Sequence, residues 1–325
     1  MKMKMSLKTV LGMLMFVVGC ATAPSDAIKV ASYNIRLSGE NGRADRGTPN
    51  AWKERKEDLI ALVQKLDLDV FGLQEVCPDQ AQFLRENLAG YEFVGEHRNA
   101  DRTSGEASPV CYRKSRFEAL EKGTFWLSET PDTPGLKGWG AACPRVCSYL
   151  ILRDRSSGKK FCFANAHTDH VSALARKNGM LLVIERMRKF GSGLPIVFTG
   201  DHNCRETEEP AMAVKERLKD ALYVSESPQK GSWRTFSGWK WLDKEVSIVE
   251  ALKVPAELRN AKKGSPDAMK DAQGLHPYEK YGARIDYIYV SDGIRVIDYR
   301  TVNDSRPGKK LYPSDHFPVV ATIEL

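Results

Sequence analysis

Hydrophobic and polar positions first organise at Ile28. The run Ile28–Tyr33 alternates and is rich in β-formers, which predicts a strand ending at Asn34. Beyond a Gly/Asn/Asp-rich loop, Trp52, Leu59, Leu62, Val63 and Leu66 recur at helical spacing. Asp69 to Leu73 is a short apolar strand with Gln74 and Glu75 at its end, and Gln80 to Leu88 is a second helix with Pro78 near its start. Strand-like runs follow at Tyr91–Gly95, Ser108–Tyr112, Ala119–Leu127, Val146–Leu152 and Lys160–Asn165. Ala173 to Met187 predicts a helix closed by Gly191-Ser192-Gly193, Pro195–Thr199 a buried strand, and Glu208–Leu218 a further helix. Residues 237–282 are charged, carry Pro255, Pro266 and Pro277, and show no long period. The pattern resumes at Arg284–Val290, Ile294–Tyr299 and Val319–Leu325, all read as strands. Strands with interspersed helices predict two packed sheets covered by helices.

Composition narrows this little. Apolar residues make 42% of the 325 and charged residues 28%, an ordinary globular balance with no internal repeat. The net charge of +7 falls to +4 without Lys2, Lys4 and Lys8, which tolerates an anionic substrate without demanding one. Those lysines lead an apolar run, Val10 to Val18, that is too short to span a bilayer and suits a signal-peptide core. It ends in Val17-Val18-Gly19-Cys20, which resembles the bacterial lipoprotein cleavage box. Residues 1–19 are therefore expected to be a signal peptide, Cys20 a lipidated residue and 20–27 a tether, placing the protein in the cell envelope. A plain secretory signal is the alternative, and either exports the chain. Six further cysteines (77, 111, 143, 147, 162 and 204) could pair in an exported protein or be buried thiols. No C-x-x-C pair is present, so a zinc site built from paired thiolates is not expected.

The polar residues at strand ends carry the chemistry. Asn34, Glu75, His167, Asp169, His170, Asp201, Asn203, Asp286, Asp315 and His316 all sit at or beside predicted strand termini. Strand ends on one rim can converge on a site. Taken singly, Asn34, Asp201 and Asp315 read as turn residues. Together they form an oxygen-rich set with a few imidazoles, which suits magnesium, manganese or calcium rather than zinc or copper.

Six segments then resemble the endonuclease/exonuclease/phosphatase superfamily, in its order. They are Ser32-Tyr33-Asn34-Ile35-Arg36, Leu73-Gln74-Glu75-Val76, Ala166-His167, Thr199-Gly200-Asp201-His202-Asn203, Arg284-Ile285-Asp286-Tyr287-Ile288 and Ser314-Asp315-His316-Phe317-Pro318. Gly105-Glu106-x-Ser108-Pro109, the run Gly123–Pro131 and Ala141-Ala142-Cys143-Pro144-Arg145 resemble an exported bacterial branch. The resemblance covers residues 28–325 as one domain and implies an α/β fold, a four-layer α/β/β/α sandwich. It implies a magnesium or manganese ion at Glu75, with Asn34 and Asp315 close by. His167 would be a general acid or a donor to phosphate, oriented by Glu106. His316 would be a second catalytic histidine with Asp286 as its carboxylate. Asp201 or His316 would activate water, and Asn203 would bond a phosphate oxygen. Arg145 would contact phosphate, and Asp169 and His170 would contact substrate or support the site. Read without the family, the His167–His170 run could instead be a zinc cluster.

Two departures stand out: His202 where many relatives carry Phe or Leu, and Gly140 where the branch commonly carries Asp. Residues 237–282 also look long, and read either as a surface insertion or as a lid bringing Trp239, Trp241 or Tyr278 over the cleft. The expected protein is a monomeric phosphoester hydrolase, read first as a phosphodiesterase or nuclease. A phosphomonoesterase of inositol or sugar phosphates is the alternative, and a non-catalytic envelope binding protein a third reading. A distributed basic groove would mark the first; a compact pocket with several Lys or Arg would mark the second.

Overall fold

A computed structural model describes residues 26–39, 42–262 and 275–325. The expected signal peptide, Cys20 and most of the expected tether lie outside the described residues. No helix among the described residues is long and apolar enough to cross a membrane.

The elements run β1 (Ile28–Asn34), α1 (Trp52–Leu66), β2 (Val70–Gln74), α2 (Pro78–Asn87), β3 (Tyr91–Val94), β4 (Val110–Arg113), β5 (Phe117–Trp126), β6 (Val146–Asp154), β7 (Lys160–His167), α3 (Ala173–Gly191), β8 (Ile196–Asp201), α4 (Glu209–Lys215), β9 (Lys219–Asp220), α5 (Ala221–Val224), β10 (Lys230–Gly231), α6 (Ile248–Leu252), α7 (Ala256–Arg259), α8 (Pro277–Tyr281), β11 (Asp286–Val290), β12 (Arg295–Thr301) and β13 (Val319–Glu324). One sheet has the order β10-β12-β13-β1-β2-β4-β3 and the other β5-β6-β7-β8-β11-β9. The fold is α/β, two mixed sheets flanked by helices.

Three apolar clusters fill the spaces between layers. Val30, Val70, Phe163, Val197, Ile288 and Val319 belong to the cluster between the sheets. Ala31, Phe71 and Leu73 pack with α1 and α2 through Leu59, Val63 and Leu84. Phe198, Tyr287 and Tyr289 pack with α3 and α4 through Met180, Val183 and Val214. Central strands are thus buried on both faces, which is why β2 and β8 read as apolar runs.

The strand period of two then positions the site. Continuing the inter-sheet phase, β1 reaches Ser32 and Asn34, β7 reaches Asn165 and His167, and β8 reaches Thr199 and Asp201. Polar groups therefore close the mouth of the inter-sheet layer. Just beneath, Asn165 ties the sheets together. Its Nδ2 donates to the carbonyls of Leu73 (2.8 Å) and Pro109 (3.1 Å). Its Oδ1 accepts from Gln74 Nε2 (2.7 Å) and Thr199 Oγ1 (3.1 Å). Gly72 gives Asn165 its room, since a Cβ there would lie 2.1 Å from Asn165 Oδ1.

The expected helix over Glu208–Leu218 is shorter, Glu209–Lys215, with Leu218 in a buried turn leading to β9. Residues 237–262 form turns and short helices docked on the domain. Ser237 N and Gly238 N donate to the Asp315 carbonyl at 2.7 and 3.1 Å, and Trp241 stacks on Tyr312 with centroids 5.0 Å apart. All six cysteines in the described residues are free thiols, five of them buried.

Candidate active site

The C-terminal ends of the parallel pairs β1/β2 and β7/β8 share one rim with the starts of β11 and β13, which run antiparallel to their neighbours β8 and β1. Register sets Asp286 opposite Asp201 and His167 beside Asp201. Asn34 crosses from one sheet to the other: its Nδ2 donates to Glu75 Oε1 and to Asp201 Oδ2, both at 3.0 Å. Its Oδ1 accepts from Arg36 N at 2.9 Å. Expected among the metal ligands, Asn34 instead turns its nitrogen to the two carboxylates; in this arrangement it is their bridge.

Glu75 has φ 62°, and Asn203 φ 47°. A left-handed Glu is uncommon and costs about 1 kcal/mol. The turn is anchored because Glu75 Oε2 accepts from Leu37 N at 2.8 Å. Asp315 is buried, and burial followed by the charge of Glu75 raises its carboxyl, while His316, Arg36 and Arg55 act against them. Glu75, His167 and Asp201 each offer a ligand atom within 4.8 Å of the others, and Asp315 is near enough to feel the charge of Glu75; this set, rich in carboxylate oxygen and without sulfur, fits magnesium or manganese.

His316 is the most tightly paired of the site histidines. Its Nδ1 lies 2.9 Å from Asp286 Oδ2 and its Nε2 3.6 Å from Asp201 Oδ2. Burial favours the neutral ring, but Asp286 and Asp201 outweigh it and push the imidazole up to about 10. Burial and the neighbouring Asp286 raise Asp201. His167 Nε2 lies 2.9 Å from Asn203 Nδ2 and 3.4 Å from Asp201 Oδ2. Burial, then the charges of Arg145 and His316, hold His167 neutral, well below the usual range for a histidine.

Glu106, expected to orient His167, approaches it without a direct hydrogen bond. Glu106 Oε2 is 3.9 Å from His167 Nδ1, and that ring nitrogen has no hydrogen-bond partner. Glu106 pairs instead with Arg98 Nη1 at 2.8 Å. Arg145 is buried, its Nη2 3.1 Å from His170 Nδ1 and its Nη1 3.8 Å from Glu106. Of the two roles expected for Asp169, geometry supplies support. Its Oδ1 accepts from Val171 N and Ser172 N, and its Oδ2 from Ala142 N, all within 2.9 Å. The zinc reading of the whole His167–His170 run does not hold. His167 belongs with Glu75 and Asp201, whereas Asp169 and His170 group with Cys143.

His202 does not enter the site. Its ring is buried behind β8, with centroids 4.7 Å from Phe198, 5.6 Å from Tyr287 and 5.5 Å from Tyr289. Alternation puts it on the helix face between two site-facing neighbours. Gly140 has φ 74°, a conformation glycine takes without strain.

Several residues were not singled out from sequence. Arg36 Nε lies 3.9 Å from Asp315 Oδ2 and also bonds Asp45. Arg55 is fully buried and donates to the carbonyls of Ile35, Arg36, Asn50 and Pro313, fixing both loops on the metal side. Its signal was a charge on the apolar face of α1. Phe236 lies against His316, centroids 4.9 Å apart. A cleft of about 1080 Å³ opens beside the site, lined in part by Arg46, Lys53, Asp79, Arg98, Asn99 and Glu106.

A model of the endonuclease/exonuclease/phosphatase family matches residues 31–316. A mannosyl-6-phosphatase from Bacteroides thetaiotaomicron superposes with a TM-score of 0.73 at 31% identity, covering 92% of this chain and 100% of that one. A Drosophila melanogaster nocturnin is 24% identical over 94% of this chain and 48% of its own length. This chain thus spans about half that curated relative. The D. rerio TDP2 complexed with single-strand DNA product shares the fold, with a TM-score of 0.62 at 15% identity, over 92% of this chain and 99% of that one.

Proposed function

The chain belongs to the endonuclease/exonuclease/phosphatase family, whose members are phosphoester hydrolases, and we propose that it removes phosphate from a small phosphorylated sugar or polyol. The carrying observation is the cleft bordered by Glu106, with Arg46, Lys53 and Arg98 among its polar lining. Its volume, about 1080 Å³, stands at the upper end of what one bound small molecule fills. The full-length likeness to a mannosyl-6-phosphatase supports the same reading. This moves the preference from diester to monoester.

A divalent ion held at Glu75 and Asp315 would neutralise charge on the phosphoryl group. Arg145, Asn203 and neutral His167 bind phosphate oxygens, the guanidinium suiting that geometry. Asp201 faces the Nε2 atoms of both histidines and takes the proton of the attacking water. His316, anchored by Asp286, holds positive charge beside it, and the leaving sugar oxygen takes a proton from solvent as the P–O bond breaks. We also propose that the protein is exported and anchored through lipid on Cys20, acting as a monomer. Membrane fractionation of Cys20→Ala and light scattering of the purified chain test these points; an unchanged membrane fraction would remove the anchor.

The activity test sets p-nitrophenyl phosphate and mannose 6-phosphate against bis-p-nitrophenyl phosphate, with magnesium and with EDTA. Monoester cleavage is expected, lost in EDTA and in His167→Ala. Cleavage of the diester alone would overturn the monoester reading in favour of a nuclease or phosphodiesterase. Glu75→Ala should abolish magnesium-dependent thermal stabilisation, worth about 2.7 kcal/mol at 100 times the Kd. An unchanged thermal shift would place the ion elsewhere.

A further inference from the structure

Among the described residues, Cys143 is the one thiol that is not buried. It sits on the β5–β6 connection, two residues before Arg145. Its Sγ, a carboxylate oxygen of Asp169 and a ring nitrogen of His170 lie within 4.8 Å of one another. We propose that these three residues form a binding site for a soft divalent ion of the zinc class, separate from the oxygen-donor set at Glu75 and Asp315. Filling it weakens phosphate binding by detaching His170 from Arg145.

The donor chemistry differs from that of the catalytic rim. Thiolate, imidazole and carboxylate together suit zinc, and three protein ligands leave a fourth position for water. Asp169 is already held rigid. Its three N–H donors take three of about four lone-pair positions on a carboxylate, leaving one. Ligand atoms across a tetrahedral zinc edge stand about 3.5 Å apart, so the trio must draw in. His170 is exposed and can move. The charge also closes: thiolate and carboxylate balance the ion, while Arg145 has Glu106 at 3.8 Å.

The link to the catalytic site follows from one hydrogen bond. Arg145 Nη2 lies 3.1 Å from His170 Nδ1, and a guanidinium only donates, so Nδ1 is the accepting nitrogen. If the ion takes Nδ1, the lone pair that Arg145 uses is lost. If it takes Nε2, the ring proton moves to Nδ1 and faces Arg145 donor to donor. Either way the ion and the Arg145 contact exclude each other. The inhibition rests on Arg145 contacting phosphate, as proposed above; the ion site does not.

The test uses the full chain carrying Cys20→Ala, so that the thiol outside the described residues cannot contribute. Titration with cobalt(II), a spectroscopic stand-in for zinc, should give a near-ultraviolet thiolate-to-cobalt charge-transfer band, absent in Cys143→Ser. No band, or a band that survives Cys143→Ser, overturns the site. Under saturating magnesium, zinc should raise KM about tenfold while kcat stays within about twofold, the pattern of lost ground-state binding. Cys143→Ser should keep its zinc-free kinetics and need about tenfold more zinc for the same effect. A Cys143-dependent band with identical zinc inhibition in both proteins would overturn the coupling through His170. If no phosphomonoester is cleaved, the cobalt band still decides the site, so its failure and that of the hydrolase reading are told apart.

Discussion

His202 and His316 are both fully enclosed, both near the β8/β11 pair, and they ionise in opposite senses. His316 looks into the inter-sheet mouth, where Asp286 and Asp201 push it up to about 10. His202 looks the other way, into Phe198, Tyr287 and Tyr289. There burial pushes it down to about 3, with the Thr199 backbone opposing. Burial alone favours the neutral ring; burial beside carboxylates favours the cation. At the end of β8, one residue of phase separates Asp201, which faces the inter-sheet mouth, from His202, which faces the helices.

The largest break in this comparison is Asp286→Asn. It keeps the shape at Nδ1 of His316 but removes the charge that makes the ring a cation. A preorganised charge beside the reacting group contributes roughly 10²–10³-fold. We expect kcat to fall within that range, with KM for the monoester changed much less, in steady-state kinetics. A loss of only a few-fold would remove the His316–Asp286 pair from the mechanism.

The comparison also shows what sequence could reveal. Asn34, Glu75, His167, Asp201 and Asp286 were legible because each ends or interrupts an apolar strand, and Asp315 because it leads into one; their assignment to one site came from six motifs that resemble the family's, in its order. The side each ring takes was less legible. His202 stands between Asp201 and Asn203 and was read as a polar ring among them; only the packed position of β8 shows that it faces the helices. Arg55 carried a signal in its place on the apolar face of α1, but its four carbonyl acceptors lie in loops with no pattern of their own. Glu106 was found by motif, whereas its pairing with Arg98 depends on how the 97–107 loop folds back. Residues 237–262 have no period because their short helices are held by separate contacts to the domain, such as Trp241 on Tyr312, and not by one shared stripe.

A second break sits beneath the rim, where a buried polar group is fully partnered. Asn165 bonds two carbonyls on the opposite sheet and two side chains. Asn165→Leu matches it roughly in size but removes its bonds to all four partners, of which the Pro109 carbonyl keeps the Leu73 N–H. An orphaned buried group costs roughly 1–3 kcal/mol, so we expect a loss of about 3 kcal/mol in denaturant unfolding. Activity should fall with it, because the same residue fixes the spacing of the two sheets. A loss below about 0.5 kcal/mol would mean that the sheets are held by their apolar layer alone.

The smallest effect, and the sharpest, belongs to His202→Phe. Neither ring nitrogen has a hydrogen-bond partner of normal geometry, so at neutral pH the imidazole contributes mainly its stacked surface. Phe preserves that surface and should leave stability at pH 7.5 within about 1 kcal/mol of the parent. Acid separates the two proteins. The unfolded ring titrates near 6.5, and the folded ring only near about 3. The unfolded chain therefore takes the proton first. The neutral ring's contribution is fully present above about pH 6.5 and is lost progressively as pH falls toward 3. Between pH 7.5 and 5 this is about 2 kcal/mol, and it hardly changes if the folded value is a unit higher. Unfolding curves at both pH values should show the parent losing about that much more stability than His202→Phe. Equal acid sensitivity would mean that His202 accepts its proton where it stands, and that the aromatic slot is less closed than its packing implies.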